Sequence, residues 1–331
     1  MQTIVPISVI IPCYNVSEFI EKTIKSVLIA AYIPDEIICV NDCSTDSTLD
    51  KIQNLASTHK EILVLNNQKN IGAFTSRKLA VKHSKNSLIL LLDGDDFLDL
   101  HSIEYAYKDL ITTNSQVSVF DAYMYNIQIN SCKQLFPNIS HHKVYSGREA
   151  CSLTLNTWKI FGMGIFEKEL YLSACKHIMI DIMNSDELLT RELFLNASSV
   201  VQSNGKYFYA INENSITMRP SVKHLDLLKN NLYLIDFANR LNLIDKGART
   251  SMLRGAIKEI YKAVKKREFY LQNMPSKEYF FILKTYGFPR YIKYLSPFEW
   301  IYNWRYFIKG VFIHSKVYGL ELFSTKFKNN Q

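Results

Sequence analysis

Over its first hundred residues the chain alternates short apolar runs with longer stretches whose apolar positions recur every three or four residues. Ile7-Ser-Val-Ile-Ile-Pro12 reads as a buried strand. Residues 17–31 read as a helix, with Ser17 as N-cap and Phe19, Ile20, Ile24, Val27 and Leu28 on one face. A β-branched strand over 36–40, a helix over 46–59, a strand over 62–65 and a helix over 73–83 follow. Leu88-Ile-Leu-Leu-Leu92 is apolar throughout, as a strand covered on both faces should be. Strand and helix in strict alternation predict right-handed crossovers and a mostly parallel sheet with flanking helices, a Rossmann-like α/β arrangement.

The pattern loosens beyond about residue 110. Residues 117–129 read as strand, 147–155 and 185–196 as helices, and 207–211 as a strand. Helical periodicity then runs almost to the end. This divides the chain into 1–110, a nucleotide-binding half; 111–220, a second half of the same domain; and 221–331, a helical C-terminal region.

Composition narrows the functional classes. The 331 residues are 47% hydrophobic and 21% charged, which excludes wholesale disorder and fibrous folds. The net charge of +8 favours anionic partners. Its distribution says more. From Leu271 to the end there are nine lysines and arginines against three glutamates, together with 17 aromatic residues, Trp300 and Trp304 among them. The six cysteines form no C-x-x-C pair and read as small buried hydrophobes in a reducing compartment. The first residues show neither a basic n-region nor a small-residue cleavage site, so no secretory leader is expected. No run reaches the roughly 18 apolar residues a spanning helix requires. The chain is expected in the cytoplasm, peripheral on the inner face of the membrane.

An open parallel sheet binds ligands beyond the carboxyl ends of its strands. Here the first strand runs into Pro12-Cys-Tyr-Asn15, the second into Asn41-Asp-Cys-Ser-Thr-Asp46, and the fourth into Asp93-Gly-Asp-Asp96. Carboxylates this dense repel unless a cation or hydrogen-bond donors balance them. Asp93 and Asp95, either side of a glycine, are spaced to hold a hard divalent ion that can also bridge phosphate oxygens.

Ser8-Val-Ile-Ile-Pro-Cys-Tyr-Asn15, Val40-Asn-Asp-Cys-Ser-Thr-Asp46, Asn70-Ile-Gly72 with Arg77, and Leu92-Asp-Gly-Asp-Asp96 occur in that order. Together they resemble the inverting family-two glycosyltransferases of GT-A fold, over roughly the first 220 residues. The resemblance implies a nucleotide-sugar donor, a UDP-sugar by family habit, lying across the strand ends. Pro12, Tyr14 and Asn15 would line the base and ribose pocket, Asp42 would bind the base, and Arg77 would reach the pyrophosphate or base. Asp95 would be the principal ligand of Mn²⁺ or Mg²⁺, with Asp93 touching ribose or metal. It further implies a glycan or lipid-linked acceptor, in synthesis of a cell-surface polysaccharide such as capsule or lipopolysaccharide.

An inverting transfer needs a carboxylate base for the acceptor hydroxyl. The acidic pair at the start of the 185–196 helix fits that place, with Glu187 as base by position and Asp186 as its alternative. Helix capping would also explain two acids there. Cys43, Asn41, Lys78 and Ala80 stand where the family usually has other residues, and the acids come in the reverse of the usual order. Trp158 and Lys159 resemble the family's acceptor-side segment, although a core tryptophan has the same pattern. With no basic residue near Ala210, Arg219 or a C-terminal lysine is left to serve the phosphates. His141 and His142 read as solvated loop residues. A nucleotidyltransferase acting on sugar phosphates is a second reading, but it calls for a glycine-rich phosphate loop that Pro12–Asn15 is not. Nucleic-acid binding by the tail is a third. It would need aromatics alternating on a sheet face, and Pro289, Pro297 and helical spacing argue against that.

The tail's composition is that of a helix lying among lipid headgroups, with Trp300, Trp304, Phe307 and Phe312 near Arg305, Lys309 and Lys316. Each such cation adds about 1 kcal/mol of attraction to an anionic surface. We expect the full chain to co-sediment with anionic vesicles in a salt-sensitive manner, and a Trp300→Ala, Trp304→Ala double variant to lose this. Equal, salt-insensitive absence of binding to anionic vesicles by both proteins would exclude the membrane reading.

Overall fold

The computed structural model describes residues 3–136, 140–155, 158–176, 178, 185–211, 221–243 and 246–287. The chain divides into two compact units, one of Met1–Asp181 with Ser185–Ser215, the other of Ile182–Asn184 with Ile216–Gln331.

In the first unit the order is β1 (Thr3–Cys13), α1 (Ile20–Leu28), β2 (Tyr32–Asn41), α2 (Thr48–Thr58), β3 (Ile62–Asn66), α3 (Ala73–His83) and β4 (Leu88–Leu91). Then come β5 (Phe97–Leu98), α4 (Ser102–Thr112), β6 (Val117–Asn126), β7 (Ser131–Gln134), β8 (Val144–Ser146) and α5 (Gly147–Thr154). The unit closes with β9 (Gly164–Glu167), α6 (Lys168–Ala174), α7 (Ser185–Asn196) and β10 (Ser199–Ala210). All ten strands join one sheet, ordered β3-β2-β1-β4-β9-β6-β10-β5, with β7 on β6 and β8 on β10. Strands β3, β2, β1 and β4 are mutually parallel. β9 is antiparallel to both β4 and β6, and β10 is parallel to β6. The fold is the expected GT-A type of α/β sheet with flanking helices, but the sheet is mixed rather than mostly parallel, because β5, β7, β8 and β9 pair antiparallel with their neighbours.

Strand β1 is buried from Ile7 to Cys13, so both its faces are covered. Ile20, Ile24 and Val27 of α1 and Ile103, Ala106 and Leu110 of α4 join Val9 and Ile11 in one core, while α3 lies along β1 and β2. The elements differ from expectation where polar groups intervene. Helix α1 begins at Ile20, because the Val16 and Ser17 amides are taken by Thr48 Oγ1 at 2.9 Å and Asp46 Oδ2 at 3.1 Å. Ser17 is thus tied to the loop after β2 and caps nothing. Strand β10 begins at Ser199, eight residues before its aromatic stretch, and a bulge between Gln202 and Lys206 conceals the alternation.

The second unit holds a 3₁₀ turn at Val222–Leu225 followed by α8 (Asp226–Arg240), α9 (Lys246–Lys265), α10 (Arg267–Asn273) and α11 (Ser276–Tyr286). Leu228, Ile235, Leu253, Ile257 and Leu283 form its core. Among the described residues no helix is long and apolar enough to cross a membrane. The basic aromatic segment beyond residue 287 lies outside the described residues, as does Arg219.

Strand β9 joins the parallel half of the sheet to β6. A Cβ built on Gly164 would lie 2.0 Å from the Ser118 carbonyl oxygen, so the strand has no room for a side chain there. We expect Gly164→Ala to lower stability by about 1–3 kcal/mol, the usual cost of overpacking. Urea unfolding with an unchanged midpoint would refute it.

Candidate active site

The strand order reverses between β1 and β4: β2 and β3 continue on one side of β1, and β4 lies on the other. The crevice beyond the carboxyl ends of β1 and β4 is the place where such a sheet binds ligands. Three loops meet there, and their polar side chains are largely spent on one another. Asn15, at φ 52°, accepts the Thr45 amide on Oδ1 at 2.8 Å, and its own amide donates to Ser44 Oγ at 3.1 Å. Asp46 accepts the amides of Thr48 and Ser17. Tyr14 is 42% exposed at the mouth, whereas Pro12 is buried in β1.

Asp42 is buried, and its carboxylate accepts Asn67 Nδ2 at 2.9 Å, the Ile71 amide at 2.9 Å and the Gly72 amide at 2.8 Å. It therefore builds the turn that starts α3 and brings Arg77 into the crevice. Two of the departures from family habit have local causes. Asn41 donates through Nδ2 to Asn66 Oδ1 at 2.8 Å, which an acid could not do. Cys43 adopts φ 60°, where a glycine would be unstrained.

The acidic turn after β4 is pinned from both sides. Thr23 Oγ1 donates to the Gly94 carbonyl at 3.0 Å, and a Cβ on Gly94 would meet the Pro12 carbonyl oxygen at 2.9 Å. Only a glycine lets the turn lie so close to the end of β1. Asp96 is buried and takes two donors, Tyr207 OH at 2.7 Å and the Ala210 amide at 2.9 Å. The Tyr207 hydroxyl in turn accepts the Asp93 amide at 3.2 Å. Phe97 stacks on its cross-strand partner Phe208, with ring centroids 4.9 Å apart. Burial, reinforced by the charges of Asp93 and Asp95, pushes the Asp96 carboxyl well above its ordinary pKa. Burial likewise pushes up the Cys13 thiol, with Cys39 and the same two carboxylates adding to the effect.

Asp93 and Asp95 are thus half-exposed carboxylates on a rigid turn, and their field is felt by the groups below. This donor set suits a hard divalent cation that takes its remaining ligands from water and phosphate. No group of three or more histidine, cysteine, aspartate or glutamate side chains among the described residues forms a complete metal cage. The two-carboxylate set fits a cation shared with a substrate.

Arg77 is buried and pairs through Nη2 with Asp93 Oδ1. Burial opposes its charge, but the carboxylates of Asp93 and Asp186 prevail and raise its pKa further. Arg77 therefore brings the acidic turn and the start of α7 into one electrostatic unit. Asp186 is exposed and makes no hydrogen bond among the described residues. Glu187 accepts Arg191 Nη1 on Oε2 at 3.1 Å, and the same nitrogen donates to the Glu187 carbonyl at 2.9 Å. Arg191 Nη2 donates to the Thr154 carbonyl at 2.9 Å, and the guanidinium lies 4.6 Å from the Trp158 ring centroid. Trp158 is half-buried beside Arg191 rather than in the core. Ser185 is the first residue of α7, inside the helix.

Asp96, Tyr207 and Arg191 were assigned no role from sequence. Tyr207 sits far from the motifs and only the pairing of β10 brings it in, whereas Arg191 stands four residues after Glu187 on the helix of the acid pair, a spacing that signals the contact. His141 and His142 do lie in a loop, but each also faces a carboxylate: His142 Nδ1 is 2.7 Å from Asp109 Oδ1, and His141 Nε2 is 3.4 Å from Asp121 Oδ2.

Comparison with known proteins bears on this geometry. The family model for glycosyl transferase family 2 matches residues 8–170. Glycosyltransferase GlyA of Streptococcus pneumoniae serotype 4 is 24% identical over 227 residues, covering 64% of this chain and 31% of that protein. The cholesterol galactosyltransferase of Borreliella burgdorferi is 26% identical, with 66% and 63% covered. The putative teichuronic acid biosynthesis glycosyltransferase TuaG of Bacillus subtilis is 38% identical over 90 residues, covering 27% of this chain and 36% of TuaG. The chain thus spans between 31% and 63% of the length of these curated relatives. S. aureus TarS 1–349, crystallised with UDP-GlcNAc, shares the fold at a TM-score of 0.60 and 17% identity, over 85% of this chain and 80% of that one. The first unit of this chain belongs to glycosyltransferase family two.

Tyr207→Phe removes both the donor to Asp96 and the acceptor of the Asp93 amide. We expect a loss of about 1–3 kcal/mol, the cost of orphaning a buried polar group. We also expect weaker UDP binding with Mn²⁺ present, since the turn is released. Calorimetry of unfolding and of UDP binding checks both, and unchanged values in both would refute the pinning role.

Proposed function

We propose that the chain is a metal-dependent inverting glycosyltransferase, moving a sugar from a UDP-sugar to a glycan or lipid-linked acceptor in cell-surface polysaccharide synthesis. The observation that carries the proposal is the convergence of Asp93, Arg77 and Asp186 at the point where the strand order reverses. UDP-GlcNAc in the TarS structure supports a uridine-diphosphate donor, and the name of TuaG supports a surface polymer. The reading places the chain in the cytoplasm, on the inner membrane face.

Under this reading Tyr14 covers the base, while Pro12 and Asn15 form the wall beneath it. Asp42 has a single donor on Oδ2 and retains acceptor capacity for a base N–H. Asp95, with Asp93, holds Mn²⁺ or Mg²⁺. When bound, the cation stabilises the negative charge that builds on the departing nucleoside diphosphate. Arg77 adds a fixed positive charge to the same region.

The acceptor hydroxyl loses its proton to a carboxylate as it attacks the anomeric carbon from the face opposite the departing diphosphate. Of the two acids Asp186 suits that task better. It is exposed, and it faces the Arg77 charge that Asp93 shares. Glu187 is held by Arg191 and is assigned to orientation.

A panel of nucleotide sugars with Mn²⁺, scored by UDP release, tests the reaction class. We expect Asp95→Ala to abolish turnover with the fold intact, and Asp186→Asn to cut kcat on the order of 10²-fold or more while UDP binding is unchanged. Near-normal turnover in Asp95→Ala would refute the metal assignment. If Glu187→Gln is the inactive variant and Asp186→Asn keeps its turnover, the roles of the two acids are exchanged. If both stay active, the acids only cap α7.

A further inference from the structure

We propose that Arg191 is a positioning residue that makes the two acids unequal, clamping Glu187 and the Trp158 ring into one rigid acceptor-side wall and leaving Asp186 to face the substrate. The proposal rests on the glycosyltransferase reading above and deepens it.

Arg191 is 4% exposed, and its contacts join three separate stretches of chain. One nitrogen, Nη1, donates twice within α7, to the carbonyl and to the carboxylate of Glu187. The other, Nη2, reaches the Thr154 carbonyl at the end of α5. The guanidinium carbon Cζ lies over the Trp158 ring, 4.6 Å from its centroid, within cation–π range. A second contact fixes the same segment one residue earlier along α7: a Cβ on Gly162 would stand 2.8 Å from Thr190 Oγ1. Residues 158–162 are therefore held to α7 at Thr190 and Arg191 together.

This arrangement uses properties that lysine lacks. A planar fork supplies directed donors to two carbonyls and a carboxylate while its weakly hydrated cation sits over an indole. Burying that charge is unfavourable, and it lowers the Arg191 pKa. Glu187 and Asp186 pull in the opposite direction. The cost is sustained because the cation is compensated where it sits. Consequently Glu187 has one geometry, set from behind. Trp158 is backed on one side by the guanidinium and is half-exposed. An indole so placed presents a rigid apolar face with a polar N–H edge to whatever lies on the acceptor side.

The test compares Arg191→Lys and Arg191→Ala with the full-length wild-type chain, using the donor found active in the panel. We expect both variants to bind UDP with Mn²⁺ as the wild type does and to keep the donor KM. Their kcat should fall on the order of 10²-fold, as misplacement by about an ångström costs. Millimolar guanidinium chloride should restore kcat in Arg191→Ala, and ammonium chloride should not. A readout independent of turnover uses Trp158 fluorescence in a Trp300→Phe, Trp304→Phe background. Acrylamide quenching should rise on Arg191→Ala and return with guanidinium.

Arg191→Lys with full kcat would overturn the proposal. So would losses in kcat that only track the loss of folded protein, or quenching unchanged by Arg191→Ala. Wild-type protein that binds no UDP and turns over no donor would instead overturn the glycosyltransferase reading on which this one rests.

Discussion

The first unit depends on a buried cation. Arg77 lies under the strand ends, removed from water, and its charge is paired with Asp93 and further favoured by the field of Asp186. A buried charge is tolerated when it is paired, and removing one partner leaves the other strongly unfavourable. The acidic turn and the start of α7 are far apart in sequence, so this guanidinium supplies a reason for them to meet. The placement of α3, which carries Arg77, is in turn set by Asp42 and its three donors. A carboxylate on one strand end thus positions the cation that organises two others.

Negative charge concentrated at strand ends has to be stabilised locally, and the chain does so unequally. Asp42, Asp46 and Asp96 are supplied with amide or hydroxyl donors and serve as struts. Asp93 and Asp95 stay half-exposed on the turn those struts hold rigid. Burial sets the division for Asp42 and Asp96, which lie deep in the loops, whereas Asp46 is exposed and takes its donors from the Thr48 and Ser17 amides. Gly94 makes the separation possible, because the turn passes against the Pro12 carbonyl without a side chain to displace it.

The regular part of this architecture was legible in the sequence. Residues 73–83 and 185–196 form the helices their periodicity predicts, and the apolar run from Leu88 forms the strand expected of it. These elements bury a continuous face, which is what an apolar pattern records. Apart from α4, a regular helix of eleven residues that the sequence reading passes over, the pieces that escaped are short or irregular. β5 has two residues, β9 has four and begins at a glycine, and β10 carries a bulge that breaks its alternation. Such strands are specified by their neighbours in the sheet. The candidate site divided the same way. Its strand-end carboxylates were visible because polar residues after apolar runs stand out. Tyr207 looks from sequence like an ordinary member of a strand, and only its four-residue spacing from Glu187 marks Arg191 out.

The acid pair shows why residue order is a weak guide to role. Asp186 and Glu187 are adjacent in the first turn of one helix, so the helix end acts on both in a similar way. Consecutive helical residues point about 100° apart, however, and therefore meet different neighbours. One carboxylate swings toward Arg191 and is bound by it; the other points out, into the field of Arg77. Glutamate has the longer side chain, and on α7 it is the one that reaches back along the helix to an arginine four residues on. Aspartate cannot span that distance as readily. The reversed order thus puts the longer acid where a tether is available and the shorter acid where none is. Charge alone would not separate the two; reach and direction do.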